Sequence, residues 1–594
     1  MLKEAGNSIS KIILQKLFNK SLSLGKFPKT WKQANVTPIF KKECKATVNN
    51  YRPVSLLSTV GKVFEKIVFK YVYNFFKDNF ILSVHQSGFL PGRSTVTQLL
   101  EVYHQFCKAV DNNKEVRVVF LDISKAFDKV WHKGILFKLK KCGVGGRLLA
   151  WFADYLTERV QRVVINGQFS DWGTIKAGVP QGSVQGPLLF LLFIDDLVET
   201  VGHCKIRLFA DDTCLFIEVD NREDAANAIN EDLAEINNWS KKWLVTFSAP
   251  KTKSLIISNK RDVDQSPPVF LDGHRIEEVK YHTYLGLKFS SNLRWNRHIN
   301  DIALKAEQRL SAMQPLKHKL DRGSLETMYK SFVLPVMEYA VAVWGGSYDS
   351  DILKLERIHI KGMRLVTGAT AKSNIANLYR ETAWPSFMDR RDKTMLTVLF
   401  KIKNQLAPEY LYELLPPENH QYIRYNLRNN NNISVPYTRL ETYKRSFFPF
   451  SIRLWNSLSK EIRGATSLTE FKTSLHQQDK EANVLYYYGE RWAQVHHARL
   501  RIGCSKLKAD LCYKLHVINN SICACSHPIE DANHFFLSCP LYNDIRQELF
   551  TDILKFTQVN LKNILYGDDT QDLQTNKMIF DAVHKFMISS QRFN

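Results

Sequence analysis

L-F-A-D-D-T-C-L-F-I, residues 208–217, sets two adjacent carboxylates in the middle of an apolar run. Ile206 to Ala210 and Thr213 to Val219 have strand character, so the stretch predicts a tight strand-turn-strand with Asp211 and Asp212 at its tip. Half-burying two like charges costs free energy unless a cation compensates them. The arrangement therefore points to a divalent metal. An Asp-Asp pair alone discriminates poorly, since about one or two arise by chance in a chain of this size. Asp195-Asp196 is a second example. It ends an apolar helix-like run and lacks a following strand, so ordinary exposed acids are expected there.

Working outward, the partner carboxylate is Asp122, in V-V-F-L-D-I-S-K-A-F-D at 118–128. Val116 to Ile123 reads as a buried strand, and Asp122 stands at its C-terminal end, where sheets that alternate with helices commonly place chemistry. Three carboxylates suit two Mg²⁺ ions, which are hard, take oxygen ligands and bridge substrate phosphates. Two metals about 3.5–4 Å apart activate a 3′-hydroxyl and stabilise a leaving pyrophosphate. That is the chemistry of nucleotide addition. Between the acids, G-V-P-Q-G-S at 178–183 sets glycines and a proline around Gln181, which suits close approach of backbone to a nucleotide.

The surrounding pattern is α+β. Ile9 to Asn19, Val60 to Phe76, Thr97 to Val110, Asp128 to Lys141, Leu148 to Thr157, Pro187 to Val198 and Glu223 to Trp239 show helical spacing. Arg162 to Asn166, Gln168 to Trp172 and Gly173 to Lys176 read as short strands, with Asn166-Gly167 as a hairpin turn. Leu244, Leu255 to Ile257 and Tyr284 to Phe289 supply further strands. Beyond about residue 290 the chain turns helical, over Asn296 to Leu320, Ser324 to Val343 and 350–415. Asn426 to Ile433 reads as a linker or mobile loop. The block Arg439, Lys444, Arg445, Phe447, Phe448, Arg453 and Trp455 mixes cations with aromatics, which serves single-strand stacking or a packed helical face equally well. There is no convincing internal repeat.

The chain has 594 residues and a net charge of +23, with 44% apolar and 24% charged residues, an ordinary globular composition of several domains. Residues 1–110 carry 15 Lys and 2 Arg against 5 acids, so +12 of the charge lies in under a fifth of the chain. Such concentration marks a polyanion-binding face. The longest apolar run, Leu188 to Ile194, is far short of a membrane span, and Lys3, Glu4, Lys11 and Lys16 interrupt any signal-peptide core. An intracellular protein without a membrane partner is expected, its ten Cys reduced or metal-bound.

Seven motifs, in order, resemble the reverse transcriptase of non-LTR retrotransposons, most closely the jockey-like elements. They are F-P-K-T-W-K-Q-A-N-V-T-P-I-F-K-K (27–42), N-Y-R-P-V-S-L-L (50–57), H-Q-S-G-F-L-P-G-R-S-T (85–95), the Asp122 string, G-V-P-Q-G-S-V-Q-G-P-L-L-F (178–190), F-A-D-D (209–212) and Y-L-G-L (284–287). The resemblance covers roughly residues 22–290 and continues more weakly to about 475. It implies a right-hand polymerase with an antiparallel palm sheet. The expected division is a short extension over 1–21, fingers and palm over 22–290, a helical thumb over 291–415, a basic aromatic region over 416–479 and a C-terminal Cys/His module over 480–594. It implies RNA-directed DNA synthesis with an RNA template, a DNA primer or target, dNTPs and two Mg²⁺, and a life in nucleus and cytoplasm, although no import cluster is visible. Oligomeric state is not legible.

Carried over residue by residue, Asp122, Asp211 and Asp212 match the metal-binding catalytic set. Phe127 matches the aromatic that rejects a ribose 2′-hydroxyl. Gln181 and Gly182 match residues lining the incoming nucleotide, Arg52 and Lys41 match basic residues near its triphosphate, and Lys251 matches a lysine near the leaving phosphate. Tyr284, Leu285, Gly286 and Leu287 match the hairpin that grips the primer end. Two departures stand out: Phe209 replaces a common Tyr, and Gln185 stands where the family usually has an apolar residue. Full-length relatives also carry an upstream endonuclease domain, whereas about 25 residues precede the first motif here. The rivals are a relic that only binds RNA or DNA, and an intron-encoded reverse transcriptase.

Near the C-terminus, Cys523, Cys525, His534 and Cys539 form C-x-C-x8-H-x4-C, followed by Pro540 and Tyr542. Four thiolate and imidazole ligands suit tetrahedral Zn²⁺. The single residue between the first two Cys is tighter than usual. Reduced core cysteines, or exchange of a ligand for His527 or Cys512, remain open.

Overall fold

A computed structural model describes residues 13–41, 44–260, 266–418, 432–477 and 481–593. Within these the chain forms two compact units, one of residues 1–293 with 406–411, the other of 294–405 with 412–594. The first unit is mixed α/β. It opens with helix α1 (Gln15–Leu24), strands β1 (Gln33–Phe40) and β2 (Tyr51–Leu56), and helices α2 (Thr59–Asp78) and α3 (Thr95–Asp111). Strand β3 (Glu115–Asp122) leads to helices α4 (His132–Lys141) and α5 (Gly146–Leu156), then to β4 (Arg159–Ile165), β5 (Gln168–Phe169) and β6 (Gly173–Ile175). Helix α6 (Gln185–Ile194), the hairpin β7 (Lys205–Phe209) and β8 (Asp212–Val219), helix α7 (Arg222–Trp243) and β9 (Lys253–Ile257) follow. The short strands β10 (Phe270–Leu271), β11 (His274–Arg275), β12 (Glu277–Glu278), β13 (Tyr281–Tyr284) and β14 (Leu287–Ser290) complete the unit.

The central sheet has the order β12-β9-β3-β8-β7 and is antiparallel except where β12 joins β9. Strand β3 lies in the middle, and seven of its eight residues are buried, the charged Glu115 and Arg117 among them. Helix α6 is apolar on every side and nine of its ten residues are buried, as expected of a helix enclosed by the core. A second sheet has the order β2-β1-β4-β5, with β6 on β4, and Arg52 stands on its edge strand β2. An aromatic cluster locks the first helices together: Phe18 stacks on Phe64 at 4.5 Å, and Trp151 on Tyr155 at 5.5 Å.

Several local expectations change. The helix read over 128–141 starts at His132, because Lys125 is left-handed and Ala126–Lys129 forms a single 3-10 turn. Leu244 is the left-handed cap of α7 rather than a strand residue. Tyr284 to Phe289 is two strands, since Leu285 and Gly286 both take positive φ and reverse the chain. The helix read over 324–343 breaks into short pieces at Pro335 and left-handed Ala340. Asp195 and Asp196 are not idle surface acids. Asp195 accepts the Ser83 N–H at 2.9 Å, and Asp196 pairs with buried Lys138 at 2.6 Å and accepts from Trp239 at 2.8 Å. Of the early helix, residues 9–12 lie outside the described residues, as do 426–431 of the Asn-rich stretch.

The second unit is helical among the described residues. Phe447, Phe448 and Trp455 are buried, with Trp455 stacked on Phe471 at 5.6 Å, so the mixed basic-aromatic block is a packed face whose rings are not free for base stacking. A buried ionic triad ties three segments of this unit. Glu381 receives a bidentate contact from Arg501 at 2.7 and 2.8 Å and another from Arg322 at 2.6 Å, while Arg501 lies over Tyr486. Burial alone would raise the Glu381 carboxyl, but the two guanidinium groups outweigh it and hold it below the usual range. Removing one partner strands buried charge, at a cost of about 3–5 kcal/mol. Glu381→Ala should therefore shift chemical denaturation strongly downward, whereas substitution of the exposed pair partner Lys562, bonded to exposed Asp569, should leave it unchanged.

Candidate active site

Antiparallel pairing of β3 with β8 sets Asp122 directly opposite Asp212. Pairing of Phe209 with Asp212 across β7 and β8 leaves Ala210-Asp211 as a two-residue turn. Ala210 has φ +53° and Asp211 does not share the positive sign, the pattern of a type II′ turn, in which glycine usually takes the first place. Three carboxylates are thus fixed at one end of the central sheet by hydrogen-bond register.

Electrostatics follow from that crowding. Burial raises the Asp211 carboxyl and the Asp122 charge adds to the rise, opposed by the nearby positive charges of Arg52 and Lys41. Asp212 is open to solvent along one side yet packed by protein on the others. That packing, followed by the charges of Asp211 and Asp122, pushes it up to about 6. Lys251 Nζ lies 3.4 Å from Asp122, whose own carbonyl accepts the Ser248 N–H at 2.8 Å. Lys41 and Arg52 are brought to the same end by the β1–β2 pairing, in which Ile39 faces Arg52 and Lys41 N–H donates to Asn50. An all-oxygen donor set with repelling charges and one open side fits a hard divalent cation.

The loop 178–183 is clamped from two sides. Gly178 N–H donates to Val130 and Val179 N–H to Phe127, both at 2.8 Å, while Ser55 N–H donates to the Gln181 carbonyl at 2.8 Å. The Gln181 side chain donates to Asp128 at 2.9 Å. Gly182 has φ +125°, and a Cβ there would lie 2.6 Å from the Ser55 carbonyl, so only glycine fits. Phe127 stacks on Phe190 at 4.6 Å and meets Phe89 edge-on at 5.9 Å, remaining partly exposed.

The 284–287 segment splits by burial. Tyr284 is buried, its hydroxyl accepting from Gln98 at 2.5 Å, and Leu287 is fully enclosed. Their side chains anchor the hairpin against Phe120, two residues before Asp122, and leave Leu285-Gly286 as the tip.

Two positioning groups escaped the sequence reading. Glu65 is buried, and its carboxylate accepts the Val184 and Gln185 N–H groups at 2.7 and 3.0 Å, tying α6 to α2. Burial raises its carboxyl, against those two bonds. The unexplained Gln185 belongs to the same knot, its side chain donating to the Glu65 carbonyl at 3.0 Å. A lone Glu on the apolar stripe of α2 is the signal that could have marked it. Asp128 is the other, visible in the 118–128 string but read only as a helix start.

In the second unit, ligand atoms of Cys523, Cys525, His534 and Cys539 all lie within 4.8 Å of one another. The Cys523 and Cys539 sulfurs are 3.7 Å apart, and Cys525 Sγ is 3.2 Å from His534 Nε2. Sulfurs on one tetrahedral Zn²⁺ with bonds of about 2.3 Å sit about 3.8 Å apart, so the cluster is compatible with zinc. His534 Nδ1 faces Ser538 Oγ at 3.2 Å, which orients the ring. His527 lies outside the set and stacks on His534 at 4.0 Å.

Residues 39–289 match the family described as reverse transcriptase (RNA-dependent DNA polymerase). The chain is 30% identical over 385 residues to the probable RNA-directed DNA polymerase from transposon X-element of Drosophila melanogaster, covering 64% of this chain and 42% of that one. It is 30% identical over 385 residues to the RNA-directed DNA polymerase from mobile element jockey of the same species, covering 63% and 42%. A Pol polyprotein from the type-1 retrotransposable element R1 of Bradysia coprophila is 23% identical over 545 residues, covering 89% of this chain and 50% of that one. The resemblance to the non-LTR retrotransposon enzymes is therefore borne out, with the chain spanning about 42% of the X-element and jockey proteins.

The raised Asp212 value gives a signed prediction. An acid whose folded-state pKa is raised binds its proton more tightly when folded, so its ionisation destabilises the metal-free fold. The penalty grows from about pH 4, the unfolded value, to about pH 6 and is constant above. Asp212→Asn should raise the Tm of chelator-treated protein at pH 7.5 and leave it unchanged at pH 4. Equal melts at pH 7.5 would contradict the electrostatic account.

Proposed function

We propose that the chain is an RNA-directed DNA polymerase that extends a DNA 3′-end on an RNA template. The observation that carries this reading is the register-fixed set Asp122, Asp211 and Asp212, faced by Lys41, Arg52 and Lys251. Those three carboxylates would hold two Mg²⁺, which supply activation of the primer hydroxyl and stabilisation of the leaving pyrophosphate when bound. Arg52 and Lys41 neutralise the incoming triphosphate, Arg52 being suited to bidentate phosphate contact. Lys251 meets the departing phosphate. Gln181 and Gly182 bring backbone close to the nucleotide, and the Phe127 ring closes on its sugar, where a 2′-hydroxyl would clash. Leu285-Gly286 supports the primer end.

In this reading the central sheet is the palm, the β2-β1-β4-β5 sheet belongs to the fingers, and 291–415 forms the thumb. The regions 416–479 and 480–594 then follow as a basic connection and a Cys/His module. The module would hold one Zn²⁺ through Cys523, Cys525, His534 and Cys539, giving a small surface for RNA or target DNA.

Purified protein should extend a DNA primer on an RNA template with Mg²⁺, and Asp211→Asn should lower the rate by at least about a thousandfold, the scale expected when transition-state charge stabilisation is lost. Full activity in that variant would sink the assignment; nucleic-acid binding without wild-type extension would favour the relic. Phe127→Val should admit ribonucleotides, read as the ratio of kcat/KM for dNTP and rNTP. Metal analysis should find one zinc per chain, lost in Cys539→Ser.

A further inference from the structure

We propose that Gln86 is a positioning residue for the carboxylate turn: its side-chain carbonyl holds Ala210-Asp211 in the conformation that aims Asp211 and Asp212. The inference rests on reading those acids as a metal-binding set. Gln86 is fully buried, and its Oε1 accepts two backbone N–H groups, Gly88 at 2.7 Å and Ala210 at 2.9 Å. In a two-residue hairpin turn the N–H of the first turn residue has no place in the strand ladder. Ala210 is that residue, and a buried N–H without an acceptor is costly. It also sits at positive φ, where an alanine is strained and needs its surroundings to hold it.

The segment around Gln86 is built to deliver this one contact. Residues 85–87 run parallel to the end of β7, with Ser87 N–H donating to Leu208 at 2.8 Å and Leu208 N–H to His85 at 2.9 Å. Arg93 ties the loop back on itself through the carbonyls of Val84 and Gln86. Gly88 then passes so close beneath the turn that a Cβ on it would lie 2.3 Å from the Ala210 nitrogen. Gly88 is not at positive φ, so space alone demands glycine there. The amide orientation is fixed, because a flipped amide would turn its N–H groups on two other donors. Its Nε2 has no acceptor among the described residues. A buried amide that leaves one group unsatisfied is expensive as a core filler, and the double acceptor is what it provides in return.

The test uses the intact chain with Gln86→Leu, which removes the acceptor at similar size, and Gly88→Ala, which pushes a methyl into the turn. Amide hydrogen exchange of residues 205–216 reads the turn without metal, Mn²⁺ titration by electron paramagnetic resonance reads the acids, and thermal melts read the fold. Both variants should melt cooperatively. Exchange in the turn should accelerate about tenfold, the equivalent of one lost hydrogen bond. Mn²⁺ affinity should fall about tenfold, as for other groups that orient metal ligands. In primer extension the half-saturating Mg²⁺ should rise while the KM for template-primer stays fixed. A wild-type chain that binds no Mn²⁺ overturns the metal reading, yet accelerated exchange in Gln86→Leu then still supports the staple. Unchanged exchange and Mn²⁺ affinity in both variants overturn the staple. Loss of the cooperative melt in both also overturns it, assigning the pair to folding at large.

Discussion

Strand register sets Asp122, Asp211 and Asp212 together, partly buried, at one end of the central sheet, and the site in the first unit depends on that constraint. Burial first, and then the charges of the neighbouring carboxylates, raise Asp211 and Asp212. A flexible loop would relieve the strain by moving apart. Strand β3 cannot, because it is hydrogen-bonded on both sides and buried along almost its whole length. The sheet therefore holds the carboxylates together despite their like charge.

Several groups near that end of the sheet hold the surrounding loops or face the acids with positive charge. The 178–183 loop is pinned to the 127–130 turn and to β2 by backbone bonds, which couples the three segments. Glu65 and Gln185 extend this pinning into α2 and α6. The excess positive charge of residues 1–110 then acquires a location. Part of it, in Lys41 and Arg52, lies beside the carboxylates, where it moderates their repulsion and offers contacts to phosphate.

The second unit follows a different logic. Its helices are tied by a buried ionic triad, and its Cys/His cluster has the spacing of a tetrahedral metal site. Similarity to the R1 relative, 23% identical, extends over 89% of this chain and so reaches into the second unit as well as the first.

Residue types and spacing alone marked the candidate groups for chemistry. A pair of acids between apolar strands, a third acid ending a buried strand, a glycine-proline loop and a Cys/His quartet can each be read locally, because their cost or ligand preference is a property of the residues themselves. Strand β3 and helices α2, α3 and α6 were legible for the same reason, since burial writes itself into composition. Tertiary structure decided what depends on partners distant in sequence. Ala210 looks unremarkable until Gln86 is found on its N–H, 124 residues away. Glu65 is one acid on a helix until two N–H groups of α6 meet it. Tyr284 reads only as part of a hairpin until Gln98 and Phe120 enclose it, and the aromatic block at 447–455 reads equally as a stacking surface or a packed face until Phe471 is found against Trp455. The sign of each such residue's role is set by what lies across from it, and one strand of sequence carries no record of that neighbour.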